Sequence, residues 1–182
     1  LLRLSPKVIW KFYAVLRLWR LRISGQRRSV ACHPVQSWIE ITMTVVAAYL
    51  YRNGERVREV AIDETVNCPQ DRSEFVWIGI CDPTAEEMRT LQKNYRLHPL
   101  AVEDAIKADQ LPKIDVYGDQ LFVVARTAQL EDDQIVYGET AIFVGHSHII
   151  SVRHGSGRAH KQLRAQLEAA PALLGHGVDY VL

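Results

Sequence analysis

Beyond the first quarter of the chain, hydrophobic and polar positions follow the patterns of short strands and amphipathic helices. Segments 45–51 and 57–62 have strand-like composition and flank the dipeptide Asn53-Gly54. Both of these positions tolerate a positive φ, so the dipeptide predicts a type I′ hairpin turn. The run 75–80 is almost entirely apolar, which predicts a buried strand.

A first helix is predicted directly after that strand. Thr84 and Glu87 have the spacing of a capping box, in which each side chain accepts a hydrogen bond from the other residue's backbone N–H. Met88, Leu91 and Tyr95 then repeat at helical spacing and form an apolar stripe. We therefore expect an amphipathic helix that packs on the sheet.

A second helix is predicted over 99–106, with a proline in its favoured first turn. Pro112 prevents its continuation, because proline has no backbone N–H and clashes with the preceding turn. The apolar positions Leu100, Val102 and Ile106 are expected to pack inward.

The remaining segments complete a mixed pattern. Three more apolar strands are predicted at 121–125, 141–144 and 149–153, and helices are predicted over 158–170 and from 178 onward. In the third helix, Leu163 and Leu167 lie one turn apart. Strands and helices in this order predict a mixed α/β domain of the α+β kind.

Charge divides the chain into two unlike segments. Residues 1–42 carry eight lysines and arginines and one acidic residue, whereas residues 43–182 have a net charge of −6. The stretch 8–23 is rich in Leu, Trp and Arg but lacks a clean polar face, which weakens the alternative of a membrane-surface helix. Binding of nucleic acid is disfavoured because no recognisable module surrounds the basic residues. We expect a poorly ordered or spurious extension over 1–42, with Met43 as the natural start of the domain.

Composition and motifs exclude several classes of protein. Cys32, Cys68 and Cys81 are odd in number and widely spaced, which indicates reduced thiols in a cytosolic compartment. Phosphate-binding glycine loops, the nucleophile elbow and the HExxH zinc motif do not occur, so we expect no enzymatic activity. His146 and His148 could begin a metal site, but a polar turn is the favoured interpretation because zinc needs at least three protein ligands.

The adjacent pair Glu103 and Asp104 is the strongest candidate for a site. Neighbouring helix positions project about 100° apart, so the two carboxylates cannot both be buried. Two interpretations remain open. Either the pair is a solvated helix edge on which Glu103 faces Lys107 at i+4, or one carboxylate reaches a cation or a neighbouring subunit.

An ordered set of short strings runs through the same region. It consists of FVWI at 75–78, LHPLAVEDA at 97–105, PK at 112–113, YGD at 117–119, LFVV at 121–124, FVG at 143–145 and SVRHG at 151–155. In this order and spacing, the set resembles the cytosolic N-terminal domain of the CorA family of divalent-cation channels. Leu111 stands where the family commonly has arginine, and residues 1–42 match nothing in the family.

The resemblance implies a mixed, mostly antiparallel sheet flanked by helices, belonging to a Mg²⁺ channel of the inner membrane with this segment on the cytoplasmic side. It implies a homopentamer in which Mg²⁺ between neighbouring domains holds the channel closed. Glu103 and Asp104 match the acidic pair that contributes to those regulatory sites, and Mg²⁺, with Co²⁺ as a further candidate, is the implied transported ion. The family's two transmembrane helices and Gly-Met-Asn pore signature would lie beyond Leu182, as would the helices that assemble the pentamer. A zinc-transporting member of the superfamily and a free-standing soluble metal-binding domain remain as alternatives.

Overall fold

The computed structural model describes residues 45–66, 68, 74–131, 133–155 and 161–182. The predicted extension over 1–42 and residue Met43 lie outside the described residues, as do the first three residues of the predicted third helix.

Within the described residues, the strands form one seven-stranded sheet. They are β1 (Val45–Arg52), β2 (Glu55–Glu59), β3 (Glu74–Cys81), β4 (Lys113–Tyr117), β5 (Gln120–Glu131), β6 (Gln134–Val144) and β7 (His148–His154). Their order across the sheet is β2-β1-β3-β7-β6-β5-β4. Strands β3 and β7 are parallel, and all the other neighbouring pairs are antiparallel. The predicted mixed, mostly antiparallel sheet is therefore confirmed.

Five helices accompany the sheet in the described part of the chain. They are α1 (Ala85–Tyr95), α2 (Pro99–Lys107), α3 (Lys161–Glu168), α4 (Pro171–Leu174) and α5 (Val178–Val181). The predicted capping box opens α1: the Thr84 hydroxyl accepts a hydrogen bond from the Glu87 N–H at 3.2 Å, and the Glu87 carboxylate accepts one from the Thr84 N–H at 2.7 Å.

The sheet has two covered faces. The front face, covered by α1 and α2, includes Leu50, Val76, Ile78, Ile80, Phe122, Val124, Ala141, Phe143, Ile150 and Val152. These residues alternate along their strands and pack with Met88, Leu91 and Tyr95 of α1 in the hydrophobic core. The back face, which includes Tyr49, Trp77 and Ser151, is covered in part by α3.

The first hairpin has the predicted turn, with positive φ of 50° at Asn53 and 82° at Gly54. Strand β2 is shorter than the predicted 57–62 and begins earlier, at Glu55. A Cβ added at Gly54 would lie 1.9 Å from the carbonyl oxygen of Pro171, so only glycine lets α4 cover this turn.

The later strands differ from the sequence prediction. Strand β4 was not predicted, because its five residues alternate polar and apolar side chains over too short a length to stand out. Strands β5 and β6 are longer than the predicted 121–125 and 141–144, and they form a hairpin. The added segments are 126–131 of β5 and 134–140 of β6, and both contain several polar residues. There the ladder of backbone hydrogen bonds, rather than an apolar pattern, defines the strands.

Two predictions of inward-facing helix residues were wrong. In α2, Leu100 and Ile106 are 56% and 39% exposed, whereas Ala101, Val102 and Ala105 are buried. The alanines bring the helix close to the sheet, and the neighbouring positions then point sideways at about 100°.

In α3, Leu163 is 44% exposed, whereas Arg164 is buried. The helix predicted over 158–170 ends two residues earlier, at Glu168, and the short helix α4 that begins at Pro171 was not predicted. Proline prevents continuation because it cannot donate the helical hydrogen bond. The predicted start of a helix near residue 178 is confirmed by α5.

Candidate functional site

Helix α2 carries the acidic pair and is attached to strand β4 at its start. His98 precedes the helix in an extended conformation, and Pro99 occupies its first turn. The imidazole ring of His98 stacks on the Tyr117 ring of β4, with centroids 3.9 Å apart and an angle of 8° between the planes. With Ala101 and Ala105 against the core, this contact orients the opposite side of α2 toward solvent and toward β4.

Glu103 lies on the solvated edge of α2. Its Oε1 is 2.5 Å from the Lys107 Nζ, one helical turn later, and both side chains are more than half exposed. The hydrogen bond to Glu103 raises the pKa of Lys107. This is the i+4 contact expected from spacing, and exposed pairs of this kind contribute little to stability because water screens them.

Asp104 has a different environment. Its Oδ2 is 2.7 Å from the Lys113 Nζ, and the same Nζ is 2.8 Å from the Asp115 Oδ2. Hydrogen bonds to Asp104 and then to Asp115 raise the pKa of Lys113 well above its usual range, so this lysine remains protonated at every physiological pH. One ammonium group therefore bridges a helix carboxylate and a strand carboxylate, both only partly exposed.

The arrangement offers hard oxygen donors, the ligands that Mg²⁺ prefers, but lysines already contact them. Three carboxylates (Glu103, Asp104 and Asp115) face two lysines, which leaves a small net negative charge. The described residues contain no group of three or more His, Cys, Asp or Glu side chains that could hold a metal ion. Carboxylate chemistry thus fits Mg²⁺, provided that the cation displaces the lysines and finds further ligands outside the described residues.

Lys113 is a member of the site that sequence reasoning missed. The chain offered one signal: Lys113 and Asp115 alternate in a short strand directly after the acidic helix. Alternation places them on the same face of a strand, here the face covered by α2.

The two histidines of the possible metal motif lie in different environments. His146 lies exposed in the turn, as expected, but His148 begins β7 and is 7% exposed, so the prediction that it belongs to a polar turn was wrong. Its ring lies 5.1 Å from the Tyr95 ring, and a Cβ at Gly145 would lie 2.1 Å from it. Burial lowers the pKa of His148 to about 4, which keeps the imidazole neutral.

The carboxylates of Glu103, Asp104 and Asp115 form what we call the acidic corner. The fold and this corner define a class of protein, a mixed α/β domain with a carboxylate pair at one helix edge. The family model for CorA-like Mg²⁺ transporter proteins matches residues 72–177, which is more than half of the chain. The chain therefore belongs to the CorA-like family.

Relatives and solved structures agree with this assignment. The putative metal ion transporter YfjQ of Bacillus subtilis is 27% identical over 120 residues, covering 63% of this chain and 37% of the relative. The soluble domain of CorA from Methanocaldococcus jannaschii aligns with a TM-score of 0.53 at 14% identity, covering 77% of this chain and 54% of that one. The cytoplasmic domain of ZntB from Vibrio parahaemolyticus aligns with a TM-score of 0.52 at 11% identity, covering 69% of this chain and 50% of that one.

The chain thus spans well under half the length of this curated relative. Among the described residues, no helix is long and apolar enough to cross a membrane.

Proposed function

We propose that this chain forms the regulatory domain, on the cytoplasmic side of the inner membrane, of a CorA-like divalent metal ion transporter. The match of the family model to residues 72–177 carries the proposal, and the transporter name of the Bacillus relative supports it. In this role the domain has no enzymatic activity. It senses Mg²⁺ between neighbouring subunits of a homopentamer and favours the closed state of the transporter when the ion is bound.

The acidic corner supplies the physical basis for sensing. Asp104 is about one-quarter exposed and Glu103 about half exposed, so both can be reached by a hydrated cation. Mg²⁺ gives up its waters reluctantly and needs only one or two carboxylates from each protein surface, the rest of its shell being water. The other carboxylates of the site would come from a neighbouring subunit.

Competition with lysine makes such a site weak. Mg²⁺ must displace Lys107 from Glu103 and Lys113 from Asp104 before it gains either oxygen. A weak site is suited to sensing, because it loses its ion when the Mg²⁺ concentration falls. The cation shifts the equilibrium only by its differential affinity for the closed and open arrangements.

A zinc-transporting member of the superfamily is the second candidate function. The TM-score of 0.52 to the ZntB cytoplasmic domain is almost equal to the value of 0.53 for the CorA soluble domain. The fold therefore supports both candidates equally. Uptake of Mg²⁺, Co²⁺ and Zn²⁺ into liposomes that contain the complete polypeptide discriminates between them, since faster Zn²⁺ uptake contradicts the first candidate.

The regulatory role is tested on the complete polypeptide that contains this chain, by limited proteolysis during a Mg²⁺ titration. The double variant Glu103→Gln, Asp104→Asn is expected to raise the Mg²⁺ concentration needed for half-protection at least about tenfold, the scale on which even outer-shell partners change metal affinity. Lys113→Met is expected to lower it, because a competing cation is removed.

Two exposed acidic residues on β2 provide the matched control. The double variant Glu55→Gln, Glu59→Gln removes the same charge from the opposite edge of the sheet. Its protection curve should superimpose on that of the wild type. If the curve of Glu103→Gln, Asp104→Asn also superimposes, the acidic pair is only a solvated helix edge and the proposed sensing role is wrong.

A further inference from the structure

A cavity of about 270 Å³ lies on the back face, between the sheet and α3. Its floor exists because small residues meet there in register: Ala47 of β1 pairs with Gly79 of β3, which pairs with Ser151 of β7. The polar and aromatic part of the lining includes Arg56, Trp77, Arg153, Lys161, Arg164 and Glu168.

Arg164 is the buried charge of this cavity. It is only 9% exposed, its guanidinium lies 4.0 Å from the centroid of the Trp77 ring, and it donates a hydrogen bond to the Tyr51 Oη at 3.1 Å. Among the described residues, Glu168 is linked to this guanidinium through the Tyr51 hydroxyl rather than by a direct ion pair. A buried cation without a charged partner is costly, and this favours an anion at that position.

Most of the charged side chains around the cavity are positive. Arg56, Arg153, Lys161 and Arg164 line the cavity with one carboxylate, that of Glu168. That carboxylate already accepts a hydrogen bond from the Tyr51 hydroxyl at 2.6 Å, and Arg56 lies 4.0 Å from the same oxygen. The lining therefore has more cationic than acidic side chains, and Arg164 is a buried cation among them.

We propose that this cavity binds a small phosphate-class oxyanion, with Arg164 as the principal ligand and Lys161 and Arg56 at its rim. Guanidinium groups suit this ligand because their fork of N–H donors matches two phosphate oxygens. The volume is slightly below the range of roughly 300–1,000 Å³ that drug-sized ligands occupy, which favours inorganic phosphate or pyrophosphate over a nucleotide. This proposal is independent of the metal-sensing role.

Calorimetric titration of the 182-residue chain with pyrophosphate, in Mg²⁺-free buffer at constant ionic strength, tests the proposal. We expect saturable binding at one site per chain, weakened at least tenfold by Arg164→Met. The matched control is Arg89→Met, which removes an exposed guanidinium from α1 on the other side of the sheet. This control should bind as the wild type does.

Lys161→Met keeps the test decisive if Arg164→Met fails to fold. Lys161 is exposed, so its replacement should leave the thermal midpoint unchanged while weakening pyrophosphate several-fold. Equal losses in Arg89→Met and Lys161→Met would show non-specific attraction and overturn the proposal. Absence of wild-type binding would also overturn it.

Discussion

The front and back faces of the sheet are covered by helices of different character. On the front, Met88, Leu91 and Tyr95 of α1 are all buried against apolar strand residues. On the back, the buried residue of α3 is Arg164, which lies over Trp77 beside a polar cavity. Both faces present alternating apolar residues of the same strands, so the covering helix decides whether a face becomes a closed core or a charged cavity.

The two faces contribute to the stability of the fold in different ways. Burial of apolar area stabilises the front face without directional requirements. A buried guanidinium contributes stability only when its partners compensate the lost hydration, and replacing it by an apolar side chain of similar size is often neutral or stabilising. The front face is therefore expected to hold the fold together, whereas the back face is available for binding.

Matched leucine truncations on the two helices should show the largest effect. Leu91→Ala on α1 removes a fully buried side chain and should lower the free energy of unfolding by about 2–5 kcal/mol. Leu163→Ala on α3 removes a side chain that is 44% exposed and should cost under about 1 kcal/mol. Urea denaturation followed by circular dichroism measures both, and similar losses would contradict the proposed contrast between the faces.

The buried polar groups of the two faces should differ in their response to pH. Below pH 6.5 an unfolded histidine binds a proton, while His148 in the folded chain, with a pKa of about 4, does not. The contribution of His148 to the free energy of unfolding is therefore fully present above pH 6.5. It falls as the pH is lowered toward 4, by up to about 3 kcal/mol. His148→Leu should remove this part of the pH dependence, as measured by urea denaturation between pH 4 and pH 7.

Two variants control that measurement. His146→Leu replaces the exposed imidazole two residues away and should leave the pH dependence of stability unchanged. Arg164→Met on the back face should also leave it unchanged, because a guanidinium stays protonated throughout this range. A pH dependence that survives in His148→Leu would assign the effect to other groups.

The smallest effect is expected at the start of α1. Thr84→Ala removes both the acceptor for the Glu87 N–H and the capping box, at a cost of about 1 kcal/mol in the free energy of unfolding. Thr90→Ala, later in the same helix, is the control, because its hydroxyl donates to the Glu86 carbonyl and does not cap the helix. Equal thermal midpoints for the two variants would show that the cap contributes little to the front face.

Local sequence signals accounted for the elements with strong periodicity. The hairpin at Asn53-Gly54, the capping box at Thr84 and the helix beginning at Pro99 were all predicted and are present. Strand β4 escaped prediction because a short polar edge strand is defined by its pairing with β5 rather than by its own pattern. The family assignment also came from the chain itself, through an ordered set of strings, and the family model confirms it.

The candidate site could be predicted only in part. Spacing alone predicted that Glu103 faces Lys107, because residues i and i+4 are always neighbours on a helix. The bridge from Asp104 to Lys113 joins different elements, so no local rule could reveal it.

The sequence by itself determined the alternation of the strands, the caps of the helices and the membership of the CorA-like family. Only the tertiary structure decided which polar side chains became buried. Arg164 and Tyr51 are 113 positions apart and meet because β1 and α3 pack together. His148 is buried because its ring fills the space beside Gly145 and Tyr95. Local patterns depend on neighbours within a few residues, whereas the environment of a side chain depends on whatever the fold brings against it.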